Sequence, residues 1–382
     1  MYACDFGVRW MDHPFLRGHL LVRTEDDVTK IRGMGIRELT IDTTRGADIG
    51  IGLSPAQDPI PTGSAIVPPA LVPETFADER TRARRLASMA RKEVRSLMDE
   101  VRMGGRVPVD RAAAVVDVLM GSVLRNSSAL VSLLRIKDKD NYTYVHSLSV
   151  STLLVSFAVS LNQNEAQIRE AGLGGLLHDI GKMRVPLEIL SKPGPLTADE
   201  AAVMRRHTEC GSQLIADCGD VPATIARHHH ERMDGTGYPD GLRGDEISAA
   251  AKMSAIVDVY DAMTSERCYH KGLPAPIALA RMWESRGTHF DEKLLQAFMR
   301  CVGLYPVGSL VRLSDDRLAV VVEEDGENLL TPRLRVIYNL RQGAYLPPTD
   351  LDLARLPTGN RTRIVGHESP GQWNIDLDAF LD

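Results

Sequence analysis

The sequence predicts a multidomain protein with a mainly α-helical central region, a small α+β N-terminal domain and a short β-rich C-terminal extension. Three observations predict this class: a length of 382 residues, a proline-rich interval near the start, and helical periodicity through the middle of the chain. A chain that is 43% hydrophobic and 25% charged can bury a substantial core. We therefore expect two or three domains rather than one.

The N-terminal segment, residues 1–53, has the pattern of a small α+β unit. Its strand-like runs are Leu20 to Val22 and Glu38 to Ile41, and a helix-like stretch runs from Asp26 to Met34. Residues 54–75 then carry prolines at positions 55, 59, 61, 68, 69 and 73, which sustain neither a helix nor a central strand. We predict a linker there.

Connecting helices are predicted over residues 76–129. From Asp78 to Val101, apolar residues recur at spacings of three and four, which indicates a long amphipathic helix. They include Leu86, Met89, Ala90 and Val94. The basic face of this helix is better explained as a solvated surface than as a partner contact. Dimerisation through the helix, or its packing on the central region, stays open.

The central region, residues 130–303, continues the helical pattern. Its longest apolar run, Leu148 to Leu161, is interrupted by serines and is too short to span a bilayer, so it predicts a buried helix. Thr197 and Glu200 form a capping box ahead of a helix that we expect to carry His207.

Two further elements of the central region follow. Asp234 to Ser248 is rich in glycine and predicts an irregular loop, and Ala249 to Thr264 predicts a helix that carries Asp258. After residue 303 the texture changes. Leu310 to Leu313, Leu318 to Val322 and Leu334 to Tyr338 are strand-like runs, so residues 304–382 predict a small β-rich extension without visible chemistry.

Charge and cysteine content narrow the functional classes. A formal net charge of -6 gives no general attraction to nucleic acid or to an anionic membrane, so a bound phosphate needs a local site. The five cysteines are odd in number and include no CxxC pair, which argues against a disulfide framework and against a zinc knuckle. Residues 1–10 lack the apolar core of a signal peptide. We expect a cytoplasmic protein.

The histidines are concentrated in one part of the chain. Of the 11 in the sequence, those at 146, 178, 207, 228, 229, 230 and 270 fall within about a third of its length. His178-Asp179 and His229-His230 end apolar helix-like stretches, and Asp258 follows downstream. Neutral imidazoles with a carboxylate that can bridge are what a pair of divalent metals needs. The sequence therefore predicts a metal-dependent hydrolase.

Three motifs carry a family resemblance: HDIGK at 178–182, HHERMDGTGYP at 229–239 and DVYDAMTSER at 258–267. In this order they resemble the HD-GYP phosphodiesterases, a branch of the HD hydrolase superfamily, over roughly residues 130–303. Residues 1–53 look like the uncharacterised domain that often precedes HD-GYP. The resemblance implies an HD-superfamily catalytic domain that hydrolyses cyclic di-GMP to linear pGpG, with further cleavage to GMP left open.

The resemblance also implies a set of metal ligands. One ion would be held by His146, His178, Asp179 and Asp258, and the other by Asp179, His207, His229 and His230. Asp179 would bridge the two. Paired cations about 3.5–4 Å apart generate a hydroxide nucleophile and neutralise phosphate oxygens. No histidine would then be free to act as the principal base.

Three further residues are expected to contact substrate. Lys182 would place a point charge on a phosphate oxygen, and Arg267 would offer a planar fork. Tyr238 would shape the pocket, although Gly237-Tyr238-Pro239 could equally be a turn that holds the His-His pair.

Neighbouring polar residues are expected to support the ligands. Glu231 and Asp261 would orient ligands, and His228 would be a neighbour of the His-His pair rather than a ligand. Two positions depart from the family. Tyr142 stands where some members have a glutamate for a third metal, and His270 stands where a basic residue is common. We therefore expect two metals.

Imidazole and carboxylate ligands suit iron, manganese, nickel, cobalt or zinc better than magnesium or calcium, and the family favours iron or manganese. Alternatives stay open: a catalytically weak module that senses cyclic di-GMP or binds a protein, and a hydrolase of other nucleotides. A homodimer or a signalling protein partner stays open, whereas no transmembrane segment and no nucleic-acid polymer is expected.

Overall fold

The fold is given by a computed structural model that describes residues 2–5, 20–21, 40–41, 76–134, 142–265, 272–323, 328–357 and 359–381. Three short N-terminal strands, β1 (Tyr2–Asp5), β2 (Leu20–Leu21) and β3 (Thr40–Ile41), form an antiparallel sheet in the order β2-β1-β3. The predicted helix over 26–34 and the predicted linker over 54–75 lie outside the described residues. The domain boundaries at 53, 75, 129 and 303 stay predictions.

Three helices precede the central region: α1 (Phe76–Arg102), α2 (Val109–Arg125) and α3 (Ser127–Leu134). The long helix expected from Asp78 is confirmed. Its buried face includes Val94, whereas Met89, which periodicity had assigned to that face, is 68% exposed. The carboxylate of Glu79 is buried and accepts hydrogen bonds from Ser122 and Arg125, which ties α1 to α2.

Helix α4 (Tyr142–Ser160) confirms the predicted buried helix and packs on α5 (Glu165–Leu177). By length and composition, Thr143–Ser160 passes as a membrane span, yet 78% of that stretch is buried inside the described fold. A core helix meets the same criteria. A 3₁₀ helix (Ile180–Arg184) follows α5 after His178 and Asp179, and it contains the last three residues of the HDIGK motif.

Four short helices come next: α6 (Leu187–Leu190), α7 (Ala198–Arg205), α8 (His207–Leu214) and α9 (Asp220–His228). The capping box of Thr197 and Glu200 is confirmed at the start of α7. The expectation that this helix carries His207 is wrong, because α7 ends and His207 begins α8. The carbonyl of Met204, near the end of α7, accepts a hydrogen bond from His207 Nδ1.

Helices α10 (Ala249–Thr264), α11 (Ala275–Glu284) and α12 (Glu292–Val302) complete the bundle. The predicted helix bearing Asp258 is confirmed with the expected bounds, and Ser248 caps it through the amide of Ala251. The loop over 234–248 is irregular, as predicted. One apolar core runs through α1 to α5 and α10 to α12.

The C-terminal extension is an antiparallel sheet of β4 (Leu310–Leu313), β5 (Arg317–Glu323), β6 (Arg333–Asn339), β7 (Ala344–Asp352) and β8 (Ile364–His367). Its order is β7-β6-β5-β4-β8. The three predicted strands are confirmed. Apolar clusters cover both faces of the sheet, and the short helix α13 (Pro370–Trp373) follows β8. The two strands that the pattern missed are edge strands. Pro347 and Pro348 are tolerated in β7 because an edge need not donate every amide.

Candidate metal centre

Asp179 lies between two groups of imidazoles, with one carboxylate oxygen facing each. Its Oδ2 is 3.3 Å from His178 Nε2 and 3.8 Å from His146 Nε2. Its Oδ1 is 3.3 Å from His207 Nε2 and 3.7 Å from His229 Nε2. The Asp179 side chain is 2% exposed, so both oxygens face protein groups rather than bulk water. A carboxylate in this position can bridge two cations.

The group on the Oδ2 side is rich in carboxylates, and we call it the carboxylate side: His146, His178 and Asp258, with Asp179. Asp258 Oδ1 lies 3.0 Å from His146 Nε2 and 3.9 Å from His178 Nε2. Ligand atoms of His146, His178 and Asp179 lie within 4.8 Å of one another, which is close enough to share an ion. The residues come from α4, the end of α5 and α10.

The group on the Oδ1 side contains only imidazoles besides Asp179, and we call it the imidazole side: His207, His229 and His230. Their ligand atoms also lie within 4.8 Å of one another, and His207 Nε2 is 3.4 Å from His229 Nε2. Two ring nitrogens that approach this closely, when neither ring is charged, gain from a cation between them. The residues come from the start of α8 and the end of α9.

Backbone carbonyls fix the orientation of three of the rings. The Nδ1 atom lies 2.8 Å from the Gly175 carbonyl in His178, 2.7 Å from the Met204 carbonyl in His207, and 3.0 Å from the Ala226 carbonyl in His229. A carbonyl oxygen can only accept, so each Nδ1 must carry the proton. In the neutral ring this leaves the Nε2 lone pair directed at Asp179 and available to a metal.

Burial keeps the imidazole side uncharged. Loss of solvation lowers the pKa of His207, lowers that of His229 well below its usual value, and lowers that of His230 to about 4. For His229 the neighbouring imidazoles add to the effect. These rings are therefore neutral near pH 7 and can act as metal ligands without first losing a proton.

The carboxylate side behaves in the opposite way. Burial opposes the charge on His146, but hydrogen bonds to Asp258 and Asp261 raise its pKa to about 9. Burial likewise opposes the charge on the two aspartates. Even so, His146 holds the pKa of Asp258 below its usual range, and the charge of Lys182 holds that of Asp179 well below its usual range. A cation that binds here replaces a proton on His146.

A glycine brings the two sides together. Gly181, in the 3₁₀ helix after Asp179, packs against the backbone of α8 at His207, and a Cβ at this position would overlap the His207 carbonyl. The HDIGK segment therefore approaches α8 only because residue 181 has no side chain. Gly237 does the same in the loop, where a Cβ would overlap the backbone of Glu231 and Arg232.

Unpartnered atoms test whether this cluster fits metal ions. Among the described residues, Asp179 Oδ1 and His178 Nε2 are buried and have no hydrogen-bond partner. Leaving such atoms unsatisfied costs about 1–3 kcal/mol each. Both belong to the expected ligand set and point at its interior. The donor set, imidazole nitrogens with carboxylate oxygens, fits divalent transition metals.

The structure thus brings together the seven residues that the sequence singled out as ligands. Lys182 joins them: its Nζ lies 2.5 Å from Asp179 Oδ2, and its side chain is 25% exposed. Tyr238 lies at the edge, with its ring 4.7 Å from that of His230 and tilted by 31°. Its amide donates to the His230 carbonyl, so the turn that holds the His-His pair also presents the tyrosine. Arg267 lies outside the described residues.

The supporting residues divide into two roles. Asp261 Oδ2 lies 2.6 Å from His146 Nδ1, so it orients the ring of one candidate ligand. Glu231 instead accepts from the amides of residues 240, 241 and 242, so it holds the loop rather than an imidazole. His228 Nε2 lies 2.8 Å from Asp240 and is turned away from the cluster.

A cavity of about 430 Å³ opens beside the imidazole side. His229, His230 and Tyr238 line it, together with Arg205, Arg232, Arg281 and residues of α10 and α11. Sequence reasoning did not single out these arginines. Each is exposed and looks like part of a solvated face in the sequence, so no local signal separates it from other surface arginines.

Comparison with known proteins gives the family. A family model described as an HD domain matches residues 128–294, and one described as a domain of unknown function (DUF3391) matches residues 1–112. A cyclic di-GMP phosphodiesterase of Pseudomonas aeruginosa is 42% identical over 382 residues, which cover 97% of this chain and 90% of that protein. The chain belongs to the HD-GYP family.

Other HD-GYP relatives match over shorter stretches. A cyclic di-GMP phosphodiesterase response regulator of Xanthomonas campestris pv. campestris is 37% identical over 177 residues, 45% of this chain and 46% of that protein. A 3′3′-cGAMP-specific phosphodiesterase of Vibrio cholerae serotype O1 is 35% identical over 170 residues, 44% of this chain and 37% of that protein. The expected family and the mainly helical fold class are confirmed.

The sequence is expected to depart from the HD-GYP pattern at two positions. The side chain of Tyr142 and the whole of His270 lie outside the described residues. The expectation of two metals rather than three therefore stays a prediction.

Proposed function

We propose that this HD-GYP protein is a metal-dependent phosphodiesterase that hydrolyses cyclic di-GMP to pGpG, with GMP as the product of a second cleavage. Its binuclear centre is formed by His146, His178, Asp179 and Asp258 on the carboxylate side, and by Asp179, His207, His229 and His230 on the imidazole side. The family of its relatives and the geometry of these side chains support the proposal independently.

The observation that carries the proposal is the position of Asp179. Its two oxygens face two groups of ring nitrogens, and Oδ1 and His178 Nε2 are buried without a hydrogen-bond partner among the described residues. A structural cluster would satisfy these atoms internally, because burying them otherwise costs free energy. In a binuclear site, by contrast, these two atoms must be free of protein hydrogen bonds so that they can bind metal.

The chemistry divides between the ions and the side chains. When bound, paired divalent metals supply a nucleophilic hydroxide near neutral pH and neutralise charge on the phosphoryl oxygens. Lys182 reaches the same opening, so we assign it a hydrogen bond to a non-bridging phosphate oxygen. Burial raises the pKa of Tyr238, so its hydroxyl stays protonated and can donate to the substrate. We assign Arg267 a second contact with the phosphate.

We further propose two ions, iron or manganese, because most of the donors are nitrogen. Nickel, cobalt and zinc fit the same donors, whereas magnesium and calcium prefer all-oxygen shells. Removal of metal by a chelator should abolish hydrolysis. Back-titration with each metal separately, followed by elemental analysis, should restore activity at two equivalents per chain.

The decisive experiment is to incubate the metal-loaded protein with cyclic di-GMP and to separate the products. The enzyme gives pGpG or GMP. A sensor, the alternative kept from the sequence, binds cyclic di-GMP and returns it unchanged. Parallel incubations with 3′3′-cGAMP and nucleoside triphosphates test the remaining substrate classes, of which 3′3′-cGAMP is favoured by the similarity to the Vibrio cholerae phosphodiesterase.

We also propose a location, an oligomeric state and a division into domains. A cytoplasmic location would place the enzyme with its substrate. A homodimer or a signalling partner would use the N-terminal domain or α1, and the domain division at 53, 75, 129 and 303 is retained. Gel filtration tests the oligomeric state, and limited proteolysis tests the domain division.

A further inference from the structure

We propose that the cavity beside the imidazole side binds the second nucleotide half of the cyclic dinucleotide, with Arg232 and Arg281 as the ligands of its non-scissile phosphate. The inference rests on the proposed function and assigns residues to the part of the substrate that does not react. It makes Arg232 and Arg281 substrate-positioning residues.

The position of the cavity supports this assignment. His229 and His230 form part of its wall, so a dinucleotide with its scissile phosphate at these imidazoles extends directly into it. Its volume of about 430 Å³ falls in the range of about 300–1,000 Å³ that is typical of small-molecule sites. That volume suits one nucleotide half rather than a whole cyclic dinucleotide.

The charge of the lining supports a phosphate. Arg205, Arg232 and Arg281 come from α7, the loop after α9 and α11, and none has an ion-pair partner among the described residues. The carboxylate in the lining, Glu231, is engaged by three backbone amides. In a chain with a formal net charge of -6, three arginines around one cavity form a local anion site.

The remaining lining supports a base. Apolar side chains from α10, α11 and the segment after α11 form a continuous part of the wall: Val259, Met263, Met282 and Phe290. Arg205 lies 5.3 Å above the Tyr238 ring, and that ring lies 4.7 Å from the ring of His230, so one guanidinium of the lining is held beside the imidazole side. A purine can pack on the apolar wall while its phosphate faces Arg232 and Arg281.

The test compares a substrate that fills the cavity with one that does not. Arg281→Gln and Arg232→Gln should each raise the KM for cyclic di-GMP by about 10- to 100-fold with little change in kcat, because a charge-assisted hydrogen bond to phosphate is lost. Turnover of bis(p-nitrophenyl) phosphate, which has one phosphate and no second nucleotide, should stay within twofold of the wild-type value.

Two further variants serve as controls. Lys293→Gln removes an exposed positive charge from α12, outside the cavity, and should leave both substrates unaffected. Arg281→Lys keeps the charge and should recover part of the lost affinity. Metal content, measured in each preparation, should match that of the wild-type protein, since neither arginine belongs to the ligand set.

The outcomes separate this inference from the proposed function. If the wild-type protein cleaves cyclic di-GMP and both arginine variants keep its KM, the cavity does not hold the second nucleotide and only this inference fails. If both substrates slow equally in the variants, the arginines act on the metal centre and the inference fails as well. If the wild-type protein cleaves only bis(p-nitrophenyl) phosphate, the proposed function fails and this inference fails with it.

Discussion

The carboxylate side and the imidazole side of the centre share Asp179 but differ in how they exist before a cation binds. On the carboxylate side, His146 lies between Asp258 and Asp261, and its pKa is raised to about 9. The positive charge of the protonated ring therefore offsets the negative charge of these carboxylates. On the imidazole side, burial lowers the pKa of every ring and leaves neutral nitrogens around an unpartnered oxygen.

The contrast explains how the cluster can be stable without metal and still offer ligands to cations. On the carboxylate side, His146 is hydrogen-bonded to Asp258 and Asp261, so a cation that binds His146 must displace a proton. On the imidazole side, neutral ring nitrogens surround one oxygen of Asp179, so a cation that binds there displaces no proton from an imidazole. We therefore expect the imidazole side to bind its ion more tightly, particularly as the pH falls towards 6.

The largest effect should follow from removing the group that both sides share. Asp179→Ala should lower metal content from two equivalents to less than one and reduce hydrolysis of cyclic di-GMP by at least about 10³-fold, since metal assistance contributes several kcal/mol. Elemental analysis and product separation measure both effects. Asp217→Ala, which removes an exposed carboxylate elsewhere, is the control. Full activity in the Asp179 variant would contradict a shared bridge.

A backbone change should separate the two sides without removing a ligand. Gly181→Ala places a methyl group against the His207 carbonyl, so the HDIGK segment must move away from α8. We expect the free energy of unfolding to fall by about 1–3 kcal/mol and metal binding to weaken on both sides. Urea denaturation and metal titration measure these changes. Gly371→Ala, at a site where a Cβ meets nothing, should change neither, and an unaltered Gly181 variant would show that the contact is dispensable.

A smaller and one-sided effect should follow from Asp261→Asn. The asparagine keeps the shape of the partner of His146 Nδ1 but removes its charge. Loss of such a partner costs about 10- to 100-fold in metal affinity. One equivalent of metal should weaken while the other is retained, which a two-site titration resolves. Equal weakening of both equivalents would mean that the two sides are not independent.

The smallest effect should come from the loop beyond the imidazole side. Arg227 and His228 bind the Asp240 carboxylate and lower its pKa to about 2. The carboxylate therefore contributes stability above about pH 4, which is lost as the pH falls through 2. Asp240→Asn should lower the free energy of unfolding by up to about 1 kcal/mol at pH 7. The difference from the wild-type protein, measured by urea denaturation, should shrink below pH 4. A difference independent of pH would exclude the ion pair as its cause.

Much of the fold followed from local pattern. Apolar spacing of three and four predicted α1, a long apolar run predicted α4, and short apolar runs between turn residues predicted β4, β5 and β6. The pattern failed where tertiary contacts decide. Edge strand β7 contains two prolines, and α7 ends at Arg205, before it reaches His207.

The motifs of the sequence were enough to predict the family and to select the candidate metal ligands, because ligand chemistry requires particular residue types at particular motif positions. The folded arrangement was needed to show that Asp179 turns one oxygen to each group, that Glu231 holds a loop while Asp261 contacts His146, and that Arg281 lines a cavity beside His230. The physical reason is that these roles depend on distances between side chains far apart in the chain. Those distances are set by helix packing and by the close approach at Gly181.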